Sequence, residues 1–253
     1  MHKHFQILLK KIFIVLLIVP MFALAQDENK TDENGKKQGY WFEISGKNTH
    51  KGHYKDDLKV GQWVAFNQKH YVIKMENYIN GELDGYVVKM DNRGYVKSSV
   101  FYTKGVKNGE DLVYTFGGRT LEKRHYKNGL LNGDVKIYYD NGNKQETGSY
   151  KDGKRNGITQ WYDYDGKMIA EYNYVDGKLE GIQKGFYVNG KLLSEETFEN
   201  NTPIGERIEY HENGQVKLKG NYKDGKREGK WLQFDNSGIE KASLRYKSGE
   251  LQK

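Results

Sequence analysis

The sequence predicts an all-β protein: an elongated antiparallel β-meander of repeated hairpins in an open twisted sheet, preceded by an N-terminal signal-peptide helix. The chain has 20 Tyr, 10 Phe, 4 Trp and 30 Gly, but only 36% hydrophobic residues, which is low for a soluble domain with one core. Its aromatic residues and glycines recur with a period of 24 positions. The chain has no cysteine, so neither a disulfide framework nor a lipoprotein cysteine is available and stability has to come from repetition.

Residues 1–25 are predicted to be a secretory signal peptide. Three lysines, Lys3, Lys10 and Lys11, precede an apolar run over 12–25, and Ala23 and Ala25 frame a cleavage site after Ala25. An uncleaved membrane anchor is the competing interpretation, but the run is shorter than the roughly 18 residues that a spanning helix needs. We therefore expect export to the periplasm, the cell envelope or the medium. Residues 26–34 are expected to be a polar linker, and 35–253 a repeat array of about nine units.

The charge of the chain argues against a nucleic-acid partner. The formal net charge is +7, from 41 basic and 34 acidic residues. Removal of the three lysines in the signal peptide leaves 38 basic against 34 acidic residues, a net charge of +4. An anionic membrane surface or an acidic glycan stays open as a partner, beside the simpler interpretation of a solvated lysine-rich surface.

Four columns of residues define the repeat. An aromatic column holds Tyr54, Tyr78, Tyr102, Tyr126, Tyr150, Tyr174, Phe198, Tyr222 and Tyr246. A first glycine column follows three positions later and is interrupted at Asp57 and Asn201. A second glycine column, four positions further on, holds Gly61, Gly85, Gly109, Gly133, Gly157, Gly181, Gly205 and Gly229. A third runs from Gly94 to Gly238, with His70 in place of its first member. Such self-similarity is the signature of a repeat architecture.

The turn residues predict two kinds of connection. Asn-Gly and Asp-Gly pairs at the third glycine column, such as Asn141-Gly142, predict a tight type I′ turn with positive φ at both positions. The stretch from Tyr150 to Gly157, with two glycines, predicts a wider turn. One unit is then strand, tight turn, strand, wider turn, and the array has about 18 strands.

A second aromatic column predicts the packing. Five positions after the second-column glycines lie Phe66, Met90, Tyr114, Tyr138, Tyr162, Phe186, Tyr210 and Phe234. Because side chains alternate along a strand, a fixed offset puts all of them on one face as an aromatic ladder. The variable positions on the opposite face are expected to carry binding specificity.

These motifs resemble a known repeat family. The stretch from Gly148 to Gly157 and the stretch from Gly220 to Trp231 are similar to the MORN repeat in its bacterial variant form. The resemblance implies an extended β-meander that acts as a scaffold, forms dimers or contacts membranes. The array is also similar to the YwqK-type family, which is labelled antitoxin by association. The missing first-column glycines and Pro203 depart from the pattern, and the copy from Gly35 to Gly46, which contains Trp41, is divergent.

No motif indicates catalysis, so we expect neither an enzyme nor a cofactor. The sequence contains no nucleophile elbow or phosphate loop. Asp163 and Asp165 resemble part of a calcium-binding loop, but the same turn recurs in the neighbouring copies, so a hairpin turn explains them better. His50 and His53 are three positions apart, which puts them on opposite faces of a strand and argues against a shared zinc ion.

Two sets of residues are candidates for a binding surface. Lys154, Lys178 and Lys226 recur at turn tips along one edge, where they could meet an anionic surface or partner, although Asp152, Asp176 and Asp224 lie two positions before them. Trp41, Trp63, Trp161 and Trp231 could form an exposed surface that stacks on sugars or on a partner. The competing interpretation is that the tryptophans cap the ends of the array.

The sequence thus predicts a non-enzymatic scaffold of the envelope or the medium that binds another macromolecule, most simply a protein, along its sheet. The alternative is an antitoxin-like or immunity protein that neutralises a toxin. A membrane-apposed or glycan-binding module is the third hypothesis. The sequence leaves the oligomeric state open, a dimer included.

Overall fold

The computed structural model describes residues 28–252, and the predicted signal peptide lies outside them. The described chain contains no helix and forms 24 strands in one sheet. All pairings between its strands are antiparallel, and each long strand pairs with the next one along the chain. The predicted all-β meander is confirmed. Within residues 28–252, no helix is long and apolar enough to cross a membrane.

The strands are β1 (Lys30–Thr31), β2 (Lys37–Ser45), β3 (Asn48–Lys55), β4 (Leu58–Phe66), β5 (Val72–Ile79), β6 (Glu82–Leu83), β7 (Gly85–Met90), β8 (Val96–Thr103), β9 (Val106–Tyr114), β10 (Thr120–Lys127), β11 (Leu130–Leu131), β12 (Gly133–Tyr138), β13 (Lys144–Lys151), β14 (Lys154–Arg155), β15 (Gly157–Tyr162), β16 (Met168–Val175), β17 (Lys178–Leu179), β18 (Gly181–Phe186), β19 (Leu192–Glu199), β20 (Thr202–Tyr210), β21 (Val216–Lys223), β22 (Lys226–Phe234), β23 (Glu240–Lys247) and β24 (Glu250–Leu251).

The second-column glycines explain why there are more strands than the sequence predicts. In four units the second strand breaks just before this glycine, as between β14 and β15, where Gly157 has a φ of 100°. Both pieces still pair with the same strand, β13. Joining these four pairs and setting aside the two-residue β1 and β24 leaves the 18 strands of the predicted meander.

The predicted polar linker is partly wrong, because part of it belongs to the sheet. β1 pairs with β2 through Lys30↔Gln38 and Thr31↔Lys37. The intervening turn is closed by Asp32, whose Oδ1 accepts the backbone N–H groups of Asn34 and Lys36. Residues 30–38 therefore form a small hairpin at the start of the array.

The two turn types are the reverse of those predicted. At the tight turn near Gly142, the Gly142 N–H donates to Tyr139 O at 3.0 Å and only the glycine has positive φ, of 96°. This is a type I turn followed by a left-handed glycine. The type I′ turn instead joins β13 to β14, where Asp152 and Gly153 have φ values of 49° and 83° between the paired Lys151 and Lys154.

The two aromatic columns lie on opposite faces of the sheet. Tyr54 packs on Trp63 with ring centroids 5.0 Å apart, and Trp63 is three positions before Phe66 on β4. Alternation along the strand therefore puts Phe66 on the other side. We call the side with Tyr54 and its column the tyrosine face, and the side with Phe66 and its column the ladder face. The predicted single-faced ladder is present, but the repeat-defining tyrosines are not part of it.

The most buried column lies on the tyrosine face, two positions after the second-column glycines. It holds Trp41, Trp63, Val87, Asp111, Val135, Thr159, Gln183, Arg207 and Trp231, of which all but Trp41 and Arg207 are fully buried. Its chemistry changes from unit to unit, which is why no conserved letter marks it in the sequence. This column lies on the face that the sequence analysis expected to carry binding specificity, and its buried members are not accessible to a partner.

Candidate interaction surface

Two tryptophans on the tyrosine face pack directly on glycines of the preceding strand. A Cβ atom on Gly52 would lie 2.3 Å from the Trp63 ring, and one on Gly220 would lie 2.1 Å from the Trp231 ring. Each indole is only 1% exposed. The predicted tryptophan surface is therefore wrong for Trp63 and Trp231, because the absence of a side chain beneath them lets both rings sink into the sheet.

The other two tryptophans also lie on the tyrosine face. Trp41 packs edge-on against Tyr54 at 5.6 Å, and Trp161 against Tyr172 at 5.0 Å. Both are half-buried. Each of the four tryptophans thus contacts a tyrosine, which for all but Trp161 belongs to the repeat-defining column, and none of them stands apart as an exposed ring.

Cations cover the rings of the tyrosine face. Lys59 Nζ lies 4.0 Å from the centroid of Trp63, and the Arg227 guanidinium lies 4.2 Å from that of Trp231. Lys107 and Arg155 stand at the same place in other units, over Tyr126 and Tyr174. Such contacts contribute about 0.5–1 kcal/mol each at partly exposed sites. This row shields a face that no second layer of the described chain covers.

Ion pairs complete the tyrosine face. Arg207 contacts Glu196 at 3.1 Å and Glu209 at 2.7 Å, and Lys107 contacts Asp111 at 2.8 Å. Burial opposes the charge of Arg207, but Glu209 and Glu196 outweigh it and raise its pKa. These ion pairs leave few charges of this face free for a ligand, and Lys59 and Arg227 lie over rings instead.

The tyrosine hydroxyls on this face are held protonated. Burial and the hydrogen bond from Tyr54 to Glu43, at 3.0 Å, raise the pKa of Tyr54 to about 12. Burial and the neighbouring Glu76 raise the pKa of Tyr78 to about 12 as well. A carboxylate lies beside each hydroxyl, but with a pKa of about 12 both hydroxyls keep their proton at neutral pH and neither is an activated nucleophile.

The ladder face is more open. Its aromatic column is half-buried, and lysines of adjoining strands lean over the rings, with Lys51 Nζ 5.9 Å from Phe66 and Lys219 Nζ 5.8 Å from Phe234. Between this column and the type I′ turns, large aliphatic side chains face solvent. Ile158 and Ile182, at the same place in consecutive units, are 56% and 54% exposed.

The predicted lysine edge lies beside the type I′ turns, on the ladder face. Lys154 and Lys226 run their aliphatic stems along Gly177 and Gly249 of the next unit, and Lys178 Nζ donates to Asn200 Oδ1 at 3.1 Å. All three lysines are exposed. The same column holds Leu58, Val106 and Leu130 in the first half of the array, so the edge is cationic only in its second half.

No catalytic or metal centre stands out in residues 28–252. No group of three His, Asp or Glu side chains in this range could hold a metal ion. A cavity of about 320 Å³ at the tight-turn edge is lined by Lys167, Met168, Phe186 and Val188 and has no converging acid and base. His50 pairs with Ala65 and His53 with Val60 on opposite faces, as predicted.

Comparison with known proteins identifies the repeat. The family described as MORN repeat variant matches four consecutive stretches, residues 131–152, 155–176, 179–200 and 203–224. No curated protein matches the chain. Residues 131–224 therefore contain four copies of the MORN repeat variant, and these copies coincide with the units whose type I′ turns run from Asp152 to Asp224.

Proposed function

From a chain that carries four MORN repeat variants in one open sheet, we propose a non-enzymatic scaffold that binds a protein partner across its ladder face. The observation that carries the proposal is the contrast between the two faces. The tyrosine face buries its rings and pairs its charges, whereas the ladder face leaves Ile158 and Ile182 more than half exposed at a repeated position. Exposed apolar side chains that adjoin each other on a flat surface are typical of a protein-interaction site.

The proposal includes export. The basic residues, the apolar run and the Ala23-Leu24-Ala25 site at the start of the sequence support a periplasmic, envelope or secreted location. The chain is compatible with an oxidising compartment, because it has no cysteine that could form a disulfide there.

A pair of variants tests the binding face. The double substitution of Ile158→Arg and Ile182→Arg places two charges on the ladder face without touching a buried residue. We expect an unchanged circular dichroism spectrum and at least tenfold less partner recovered by affinity capture from the envelope fraction. Ile239→Arg, at a tight turn where the isoleucine is 65% exposed, is the matched control and retains the partner.

Two outcomes would overturn the proposal. Recovery of no protein by the unaltered chain would remove the scaffold function. Recovery of a single toxic enzyme that the chain inhibits would replace it with the immunity function.

A further inference from the structure

The ladder face changes charge abruptly near the end of the described chain. Six cations lie on three adjacent strands: Lys217, Lys219 and Lys223 on β21, Lys226 and Lys230 on β22, and Arg245 on β23. We call them the basic strip. One repeat earlier, the same six positions hold Leu193, Glu195, Glu199, Thr202, Glu206 and Asn221. The formal charge at these positions thus goes from −3 to +6 within one 24-residue step, so the strip is not a general property of the repeat.

The basic strip contains cross-strand pairs of like charge. Lys230 is directly opposite Arg245, and Lys223 is directly opposite Lys226. Like charges directly opposite each other destabilise a sheet. All four side chains are exposed, and none of the six cations forms an ion pair with another described residue. The six cations thus give the sheet no ion pair that would offset this repulsion.

Acidic groups of the chain near the strip do not neutralise it. Glu228, on β22, accepts the backbone N–H of Ser248 at 2.6 Å, and Glu206, on β20, lies opposite Asn221. Neither forms an ion pair with one of the six cations, and counting both still leaves a net charge of +4 (six cations against two carboxylates). Glu195 accepts a hydrogen bond from Tyr210 at 3.3 Å and contacts Lys184 at 3.9 Å. A second copy of the chain is not a matching ligand either, because the three glutamates at the equivalent positions one repeat earlier are too few to balance six cations.

Apolar side chains alternate with the cations and indicate the class of ligand. Lys219 is flanked in register by Ile208 on one side and by Leu232 on the other, all half-buried. An acidic polysaccharide or a nucleic-acid backbone offers charge to this row but no aliphatic group. A lipid surface offers both, but an anionic bilayer broad enough to cover the strip would also meet Glu195, Glu199 and Glu206 of the preceding repeat, which repel it. An extended protein segment that alternates acidic and aliphatic residues matches both the charge and the apolar positions.

We propose that the basic strip is the docking site for an acidic, extended segment of a protein partner. This inference rests on the proposed scaffold function and names the chemistry of its partner. The carboxylates of the segment would lie between Lys230 and Arg245 and between Lys223 and Lys226, where they relieve the repulsion, and its aliphatic residues would cover Ile208 and Leu232.

Lys230→Glu gives the sharpest test, because it acts in opposite directions on stability and on binding. It converts the like-charge pair with Arg245 into an opposite-charge pair, so the melting temperature is expected to rise or stay the same. Binding of a fluorescent twelve-residue peptide of alternating Glu and Val, measured by anisotropy, is expected to weaken at least tenfold. Misfolding cannot produce a more stable variant that has lost the peptide.

Lys154→Glu is the matched control. Lys151 and Lys154 form the same kind of opposed pair at a type I′ turn, three repeats before Lys223 and Lys226. This variant is expected to keep its affinity for the peptide within twofold.

Comparison probes decide the ligand class. A peptide of alternating Glu and Ser, a single-stranded oligonucleotide, a sulfated polysaccharide and vesicles with phosphatidylglycerol are each expected to bind at least fivefold more weakly than the Glu–Val peptide. Equal or tighter binding of any of them overturns the proposal, as does equal affinity of Lys230→Glu for the Glu–Val peptide. If affinity capture recovers the same proteins with Lys230→Glu and with the unaltered chain, the strip assignment fails while the scaffold function stands.

Discussion

At the scale of single residues, the buried column shows how a sheet without a second layer forms a core. Some members match a neighbour in bulk, as Trp231 does with Leu244 and Val87 with Val100, and Asp111 matches the charge of Lys107. The residue type in this column therefore varies from unit to unit, whereas its burial changes little. A search for identical residues finds the tyrosines and glycines but misses this column, because either bulky or oppositely charged side chains can fill its positions.

The glycine beneath Trp231 is expected to be indispensable. Gly220 has extended backbone, so Gly220→Ala meets no conformational strain and its only cost is the overlap of the new Cβ with the indole. Overpacking of this kind lowers the free energy of unfolding by about 1–3 kcal/mol. Urea denaturation measures this loss of stability. Gly117→Ala is the control, because the nearest atom to its new Cβ is 3.9 Å away, and its free energy of unfolding is expected to stay within about 0.5 kcal/mol of that of the unaltered chain.

A double-mutant cycle checks the cause. In a Trp231→Val background, the cost of Gly220→Ala is expected to fall below about 0.5 kcal/mol, because the ring that it overlaps is gone. An undiminished cost in that background would mean that Gly220 is required for another reason.

The tyrosine hydroxyls predict a loss of stability at alkaline pH. The pKa of Tyr54 and that of Tyr78 are each raised from 10.0 to about 12 in the folded chain. Between these values the unfolded chain has lost protons that the folded chain keeps, so stability is fully present below pH 10 and falls as the pH rises toward 12. Melting temperatures measured across this range are expected to drop, and to drop less steeply when Tyr54 and Tyr78 are both replaced by Phe. A parallel fall in both proteins would exclude these two tyrosines as the cause.

At the scale of the hairpin, the turns show why their type was mispredicted. Asn-Gly or Asp-Gly pairs occur in both connections, at Asn141-Gly142 and at Asp152-Gly153. Only Asp152 and Gly153 are the two residues between directly paired positions, and that spacing imposes the type I′ turn. At Asn141 the loop is one residue longer, so the asparagine keeps negative φ and its Oδ1 accepts the N–H of Asn143. The sequence contains the hairpins, but the register that selects the turn type is fixed only when the strands pair.

Asn201, which interrupts the first glycine column, is expected to act as a staple between units. Its φ is 68° and its Oδ1 accepts the Leu179 N–H of the preceding unit at 2.6 Å. Asn201→Ala loses this bond and places a Cβ-bearing residue without a polar side chain in the left-handed region, so unfolding is expected to become easier by about 1–2 kcal/mol. Asn201→Gly loses the same hydrogen bond, but glycine adopts the left-handed conformation without strain. Its free energy of unfolding is expected to stay within about 0.5 kcal/mol of that of the unaltered chain.

Chemical denaturation of both Asn201 variants gives the comparison. Asn201→Asp, which keeps the acceptor, is the control and should behave like the unaltered chain. If the Gly and Ala variants lost equal stability, the backbone conformation would not matter at this turn.

At the scale of the whole molecule, repetition was predictable and the surface that uses it was not. The 24-residue period is visible in the sequence, and it predicts the meander. The basic strip was not predicted, because the net charge of +7 over all 253 residues averages an acidic repeat with the cationic one that follows. Lys226 was singled out as part of a lysine row along the edge, whereas its partners in the strip lie across the neighbouring strands. Only the pairing of β21, β22 and β23 brings Lys219, Lys230 and Arg245 onto one surface.

The single open sheet predicts an elongated particle in solution. Eighteen long strands spaced about 4.8 Å apart give a sheet roughly 85 Å across before twist is subtracted. A rod of that length has a radius of gyration of about 25 Å, whereas a compact globule of the chain without its signal peptide would have about 17 Å. Small-angle scattering of dilute protein is expected to give a value near the larger figure and an asymmetric distance distribution. Twist shortens the sheet, so about 22 Å is still consistent with it, but a value near 17 Å would require the faces to fold onto each other and would bury the ladder face on which the proposed binding depends.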